Sequence, residues 1–215
     1  MTTERPKFIT IEGIEGAGKS TAMHVIEKLL QQKGVDFLLT REPGGTDIAE
    51  DIRQIFLKKH AEVMTPETEL LLLFAARAQH LNQVVLPHLA QGKWVICDRF
   101  TDASYAYQGG GRGVDTSYIE VLETWIQGRF RPDAVLLLDA PVSVCLERTK
   151  QRGHLDRIEL EQHQFFDRVR SAYLQRAKLH PERYYLVDAA QKRTQVAKQI
   201  MAILSRFFPH PCSGL

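Results

Sequence analysis

The chain has 215 residues, with 28 Lys and Arg against 26 Asp and Glu and a hydrophobic fraction of 44%. That length suits one domain whose core needs no metal or disulfide. The near-balance of charge excludes a whole-surface footprint for nucleic acid, and no apolar run is long enough to span a bilayer. The three cysteines, Cys97, Cys145 and Cys212, have neither CxxC nor metal-ligand spacing. With the polar start "MTTERPK", they lead to the expectation of a reducing, cytoplasmic setting.

In chain order, "KFITIEG" is short, β-branched and ends at glycine, which predicts a strand. "KSTAMHVIEKLLQQKG" has apolar residues at helical spacing and a glycine stop. "VDFLLTRE" predicts a second strand and "IAEDIRQIF" a short helix. "TPETELLLLFAARAQHLNQVVLPHLAQG" predicts one long helix, capped by Thr65 with Pro66 at its first position. "KWVICDR", "DAVLLLDA" and "RYYLVDA" predict three more strands. "PVSVCLERTK", "QFFDRVRSAYLQRA" and "RTQVAKQIMAILSRFF" predict helices after them. The alternation implies an α/β fold, a five-stranded parallel sheet flanked by helices. One domain is expected over residues 1–208, with a small lid at about 148–160 and a fraying tail at 209–215.

Between the first strand and the first helix lies Gly13-Ile14-Glu15-Gly16-Ala17-Gly18-Lys19-Ser20, which matches G-x-x-x-x-G-K-[ST] in full. Its glycines let backbone N–H groups wrap a phosphate, and the helix N-terminus adds positive charge. Lys19 is expected on the β- and γ-phosphates of ATP and Ser20 on Mg²⁺, with Thr21 beside it. Such a loop serves GTPases, motor ATPases and kinases alike, but no N-K-x-D guanine-reading motif occurs. Ligands of an open α/β sheet bind beyond the carboxyl ends of its strands. Arg41 and Glu42 end the second strand there, Asp98 and Arg99 end the third, and Arg53 follows on the short helix. Guanidinium forks suit phosphate oxygens, so this set points to a second phosphorylated substrate. Phe74 and Arg77 on the long helix, with Ser104, Tyr107 and Gln108, offer groups to stack on a base and read its edge. "GGGRG", residues 109 to 113, follows no strand and reads as a flexible loop. Arg148, Lys150, Arg152 and Arg157 lie in a polar stretch between two helices. A basic lid there would exclude water and place an arginine on the transferred phosphoryl group.

The segments "IEGIEGAGKST", "REPGGT", "FAARAQHL", "DRFTDASYAYQGGGRG" and "RGHLDRIE", in this order, resemble the bacterial thymidylate kinases over essentially the whole chain. The resemblance implies a P-loop kinase fold with a small lid. It also implies a cytosolic homodimer that moves the ATP γ-phosphate to dTMP with Mg²⁺. Relatives come in two arrangements, one with a catalytic arginine in the phosphate loop and one with glycine there and arginines in the lid. Gly16 and the arginine-bearing lid resemble the second. By that resemblance Glu15 contacts the acceptor's 3′-hydroxyl, and Arg53 and Arg99 hold the dTMP phosphate with Arg41 nearby. Asp98 lies near Mg²⁺, and Glu42 acts through a water. Arg77, Ser104 and Gln108 read the thymine edge, and Tyr107 flanks the sugar's 2′ position. Arg148 lies along the adenine, and Arg152 is the first choice for the catalytic arginine. Many relatives place a stacking phenylalanine four residues before the base-reading arginine. Here Leu73 has that place and Phe74 is one later, so Phe74 is expected to cover the base with Leu73 as the alternative. A kinase for another nucleoside monophosphate, or a nucleotide-sensing module without turnover, are the competing readings.

Overall fold

The computed structural model describes residues 5–151 and 156–208. Its strands are β1 (Phe8–Glu12), β2 (Phe37–Arg41), β3 (Trp94–Asp98), β4 (Ala134–Asp139) and β5 (Tyr184–Asp188). They form one wholly parallel sheet in the order β2-β3-β1-β4-β5. Parallel neighbours need crossovers, and helices supply them. After β1 comes α1 (Lys19–Gln32); after β2 come α2 (Asp47–Leu57), α3 (Pro66–His80) and α4 (Leu86–Ala90). After β3 come α5 (Thr101–Ser104) and α6 (Thr116–Gln127), and after β4 come α7 (Val142–Lys150) and α8 (His163–Leu179). The helix α9 (Arg193–Leu204) closes the fold.

Strands covered on both faces must be apolar on both, and β1 is buried throughout. Ile9, Ile11 and Ile96 belong to one core with Ala22, Ile26 and Leu30 of α1. Phe8, Val95 and Cys97 face the other way, onto Leu81, Val85 and Phe100. Each fully buried side chain of this size contributes about 1.5–3 kcal/mol. The chain runs from central β1 out to β2, returns to β3 and then crosses to β4. That reversal opens a crevice at the carboxyl end of β1. Register brings Ile11 beside Asp98, and the Arg99 N–H donates to the Ile11 carbonyl at 3.0 Å. The ends of β1 and β3 therefore share one site.

Two expectations change. The long helix is not continuous, because Leu81–Val85 widens into a π turn before α4. Pro87 has no N–H for an α ladder, and its ring would press on the carbonyl one turn back. The side chains of Asn82 and His88 bond the Ala78 and Val84 carbonyls, at 2.8 and 2.7 Å. The glycine run is not a flexible loop either. Tyr105–Gly111 is a π-helical segment packed against α8. A Cβ on Gly110 would lie 2.5 Å from that of Ala172, so only glycine admits α8 this closely. The Arg168 guanidinium then donates to the Gly111 carbonyl at 2.9 Å.

Glu12 ties three elements together at the end of β1. Its carboxyl accepts from the Phe100 N–H and the Tyr173 hydroxyl, each at 2.7 Å. Burial, with the charge of Asp102, pushes this carboxyl up to about 8. The folded protein therefore holds a proton here that the unfolded chain releases near 4.5. Its contribution to stability is full below the unfolded value and is lost as pH rises through about 8. Glu12→Gln mimics the neutral acid, so urea denaturation should show the variant gaining on wild type between about pH 5.5 and pH 8.5. A stability difference that stays flat over that range would contradict this account.

Candidate functional site

The phosphate loop is built as the motif predicts. β1 enters it, and Gly18 caps α1 in a left-handed conformation, φ 98°. The Lys19 ammonium donates to the Gly13 and Ile14 carbonyls, both at 3.2 Å, and so spans its own loop. Burial and then the charge of Arg99 lower its pKa. Ser20 and Thr21 are exposed at the start of α1. Gly16 backs onto α7, where a Cβ would meet the Cys145 carbonyl oxygen at 2.0 Å. The loop can lie this close to α7 only without a side chain there.

Arg99 joins the loop to its surroundings. It has φ 70°, a left-handed conformation rare for a residue with a side chain. One guanidinium nitrogen donates to the Gly13 carbonyl at 3.0 Å and the Tyr173 hydroxyl at 3.1 Å. The other donates to Glu15 at 2.7 Å and the Tyr107 hydroxyl at 2.9 Å. Tyr107 donates in turn to the second Glu15 oxygen, and its ring lies 4.7 Å from the guanidinium. Burial pushes both phenols up, which keeps their hydroxyls as donors. Burial also works against the charge on Glu15, but Arg99, Lys19 and Tyr107 outweigh it and hold the carboxyl below its usual range. For Arg99, burial is outweighed by Tyr107, Glu15 and Tyr173, and its pKa stands well above the ordinary value.

From Glu15 and Arg99 a cleft with about 620 Å³ of empty volume, open solvent included, runs away from the phosphate loop. Arg53 lines it and donates to the Pro43 carbonyl at 3.0 Å. Its far wall carries Leu73, Arg77, Ser104 and Gln108. Arg77 is fixed on three sides: Nε donates to Glu42 at 2.7 Å, and its two other nitrogens reach Ser104 Oγ and the Phe100 carbonyl, both at 3.2 Å. Glu42 is pinned further by His80 Nδ1 at 3.0 Å, and His80 Nε2 meets Thr40 at 2.7 Å. Removing one member of such a buried pair typically costs about 3–5 kcal/mol.

The structure gathers Glu15, Glu42, Arg53, Arg77, Arg99, Ser104, Tyr107 and Gln108 around this one cleft. Arg41 does not line it; it is half exposed, with one nitrogen 2.8 Å from both oxygens of Glu50. Phe74 does not line the cleft. It is buried with Leu70, Tyr105 and Ile119, with the Arg77 guanidinium 4.5 Å above its ring, and the wall residue is Leu73. One step along a helix turns a side chain by about 100°, which is enough to exchange the two. Glu42 is buried, lines the cleft and is paired to Arg77 and His80. Arg148 donates to the Ala189 carbonyl at 3.0 Å, on the β5 side of the phosphate loop. Arg152 lies outside the described residues, as does the tail expected to fray.

Sequence reasoning missed Glu69, His80 and Tyr173. A signal existed for two of them. Glu69, Leu73, Arg77 and His80 recur at helical spacing on α3; Leu73 and Arg77 line the cleft, and Glu69 and His80 bond Gln108 and Glu42, which also line it. Asp156 and Ile158, within the stretch expected to form the lid, also line the cleft.

For a magnesium ion the donors are suitable. The Asp98 Oδ1 atom is buried without a partner among the described residues, and Ser20 is exposed at the loop's end. No group of three or more His, Cys, Asp or Glu side chains among the described residues is placed to hold a metal alone. A carboxylate and a hydroxyl fit an ion that arrives with phosphate oxygens and water.

A sequence model of the family described as Thymidylate kinase matches residues 11–200. The thymidylate kinase of Pseudomonas fluorescens (strain SBW25) is 57% identical over 197 residues, covering 92% of this chain and 94% of its own. That of Pseudomonas entomophila (strain L48) is 56% identical with the same coverage. In three dimensions the chain is similar to the crystal structure of thymidylate kinase from Ehrlichia chaffeensis. The TM-score is 0.77 at 32% identity, over 94% of this chain and all of that one. The chain belongs to the thymidylate kinase family.

Proposed function

We propose that the chain transfers the γ-phosphoryl group of ATP to dTMP, giving dTDP and ADP. The observation that carries the reading is the cleft. It begins at the phosphate loop, at Glu15 and Arg99, and ends at Arg77 and Gln108, so it offers a second substrate site in line with the first. The P-loop amides, with Lys19, take the donor's phosphates. Arg53 and Arg99 take the acceptor phosphate, with Arg41 nearby. Glu15 accepts from the sugar hydroxyl, and Tyr107 closes the space at the 2′ carbon. Leu73 lies against the base, and Arg77 and Gln108 read its edge while Ser104 steadies Arg77. Arg148 runs along the adenine. Mg²⁺ would be held by Ser20 and Asp98 and would offset the charge of the phosphate groups.

The transfer is direct. No side chain at the junction is an activated nucleophile: Glu15 is held by Arg99 and Tyr107, and the buried thiols of Cys97 and Cys145 are pushed up by desolvation. Catalysis then rests on alignment and on charge stabilisation by Lys19 and the lid's Arg152. Closure of the lid expels water that would otherwise take the phosphoryl group. Buried free thiols, and the lack among the described residues of a helix long and apolar enough to cross a membrane, support a cytoplasmic location. With balanced charge and its basic groups gathered at the crevice, the chain is read as binding neither nucleic acid nor membrane.

The exposed apolar face supports a homodimer. Leu71 on α3, with Tyr118, Val121 and Trp125 on α6, are each more than half exposed, and Trp125 is 80% exposed. α2 packs on α3 and adds Ile48. Leu71, Tyr118 and Val121 line one shallow groove, and exposed apolar groups gathered this way are uncommon on a monomer. Light scattering on Trp125→Asp should give a monomer where wild type gives a dimer; a wild-type monomer would remove the dimer.

In a coupled ADP assay across nucleoside monophosphates, kcat/KM for dTMP should exceed that for AMP, GMP and CMP by at least about 10²-fold. Equal rates would sink the substrate assignment. Arg152→Ala should lower kcat on the order of 10³-fold with little change in KM for dTMP. A change confined to KM would remove Arg152 from the transition state.

A further inference from the structure

The two ends of the Gln108 amide stand in different surroundings. Nε2 donates to Glu69 Oε2 at 3.1 Å. Oε1 is buried and has no partner among the described residues. Gln108 is 1% exposed, and it lines the cleft. A carboxylate accepts and does not donate, so Glu69 decides which end of the amide it faces. Its own position is fixed from behind. Arg112 Nε lies 3.1 and 3.2 Å from the two Glu69 oxygens, and Arg157 donates to Oε1 at 2.5 Å. Arg157 lies in the stretch expected to form the lid and is anchored on the Phe56 carbonyl at 3.0 Å, with the Phe56 ring 5.0 Å away. Glu69 is 1% exposed and has no solvent to turn to.

We propose that Glu69 is a specificity-determining positioning residue: by holding the amide nitrogen of Gln108, it presents Gln108 Oε1 to the cleft as an obligate acceptor for a ring N–H of the base. The proposal rests on the reading of this cleft as the dTMP site. Thymine carries one donor on its polar edge, the N3–H, between two carbonyl acceptors. A wall made of an acceptor at Gln108 and a donor at Arg77 matches a ring N–H beside a carbonyl. Cytosine offers a bare ring nitrogen and an amino group, and both are mismatched. An unrestrained glutamine would not discriminate, because turning its amide over exchanges O for N at little cost. Glu69 removes that freedom. The base then relieves a buried acceptor that is otherwise unpaired, and a base lacking the N–H leaves it so.

The test compares kcat/KM for dTMP and dCMP in wild type, Glu69→Gln, Gln108→Leu and the double variant. In Glu69→Gln the new carbonyl stays with the two arginines and the new amino group turns toward Gln108. Gln108 must then turn its oxygen away from the cleft. The dTMP-over-dCMP preference should fall about tenfold or more, chiefly through KM, and the double variant should lose no more than Gln108→Leu alone. A purely structural role for Glu69 would lower both acceptors together. A preference within about twofold of wild type, or losses that multiply in the double variant, overturns the proposal. Glu69→Asp keeps the charge for Arg112 and Arg157 but withdraws it from Gln108 by one methylene. It should lower the preference in the same direction, and it decides the matter if Glu69→Gln does not fold. A wild type without the preference, or a Gln108→Leu variant that keeps it, overturns the reading of the cleft and the proposal with it. A preference lost in Gln108→Leu but kept in both Glu69 variants overturns the proposal alone.

Discussion

The guanidinium of Arg99 is the junction on which the site depends. It bonds the carbonyl of Gly13, the carboxylate of Glu15 and two tyrosine hydroxyls. Those partners come from the phosphate loop, the π-helical segment after α5 and the helix α8. The backbone at Arg99 is left-handed, a cost that is sustained because the surroundings fix the side chain so fully. Its charge also sets its neighbours: it counters burial at Glu15 and keeps a carboxylate inside a loop built for anions. The acid and the phosphate loop are compatible because this cation lies between the loop and the cleft.

Behind that junction the molecule is organised as two layers of support. Toward the phosphates, Tyr173 bridges Arg99 and Glu12 and links the loop to α8. At the far wall of the cleft, Glu42 and His80 lock Arg77, and Glu69 holds the Gln108 amide nitrogen. The polar groups Arg77, Gln108 and Arg99 are thus each held by other polar groups. Such networks stabilise when complete and are costly when one member is lost. The cleft can therefore present fixed donors and acceptors before any ligand arrives, which is the preorganisation that selective recognition needs.

Much of this was legible in the sequence. The eight-residue phosphate loop is a local motif whose mechanism follows from its own backbone, and it was placed correctly. The strand-end residues Glu42, Asp98 and Arg99 followed from topology alone, since an α/β sheet puts its strand ends at the crevice. What was lost depended on tertiary contacts or on helix phase. Leu73 and Phe74 are both neighbours of Arg77 on an isolated helix, and only packing against Tyr105 and Ile119 decides between them. The glycine run reads as loose in one dimension, because the helix that presses on it comes some sixty residues later. Glu69 looks like a stray acid in an apolar helix until Arg112, Arg157 and Gln108 converge on it.

The contact between Gly16 and α7 limits what the phosphate loop can become. A side chain at this position would run into the Cys145 carbonyl, 2.0 Å from where its Cβ would stand. No larger residue can be added at this point of the loop while α7 stays where it is. Loop and helix are one constraint in this chain, and neither can be changed alone.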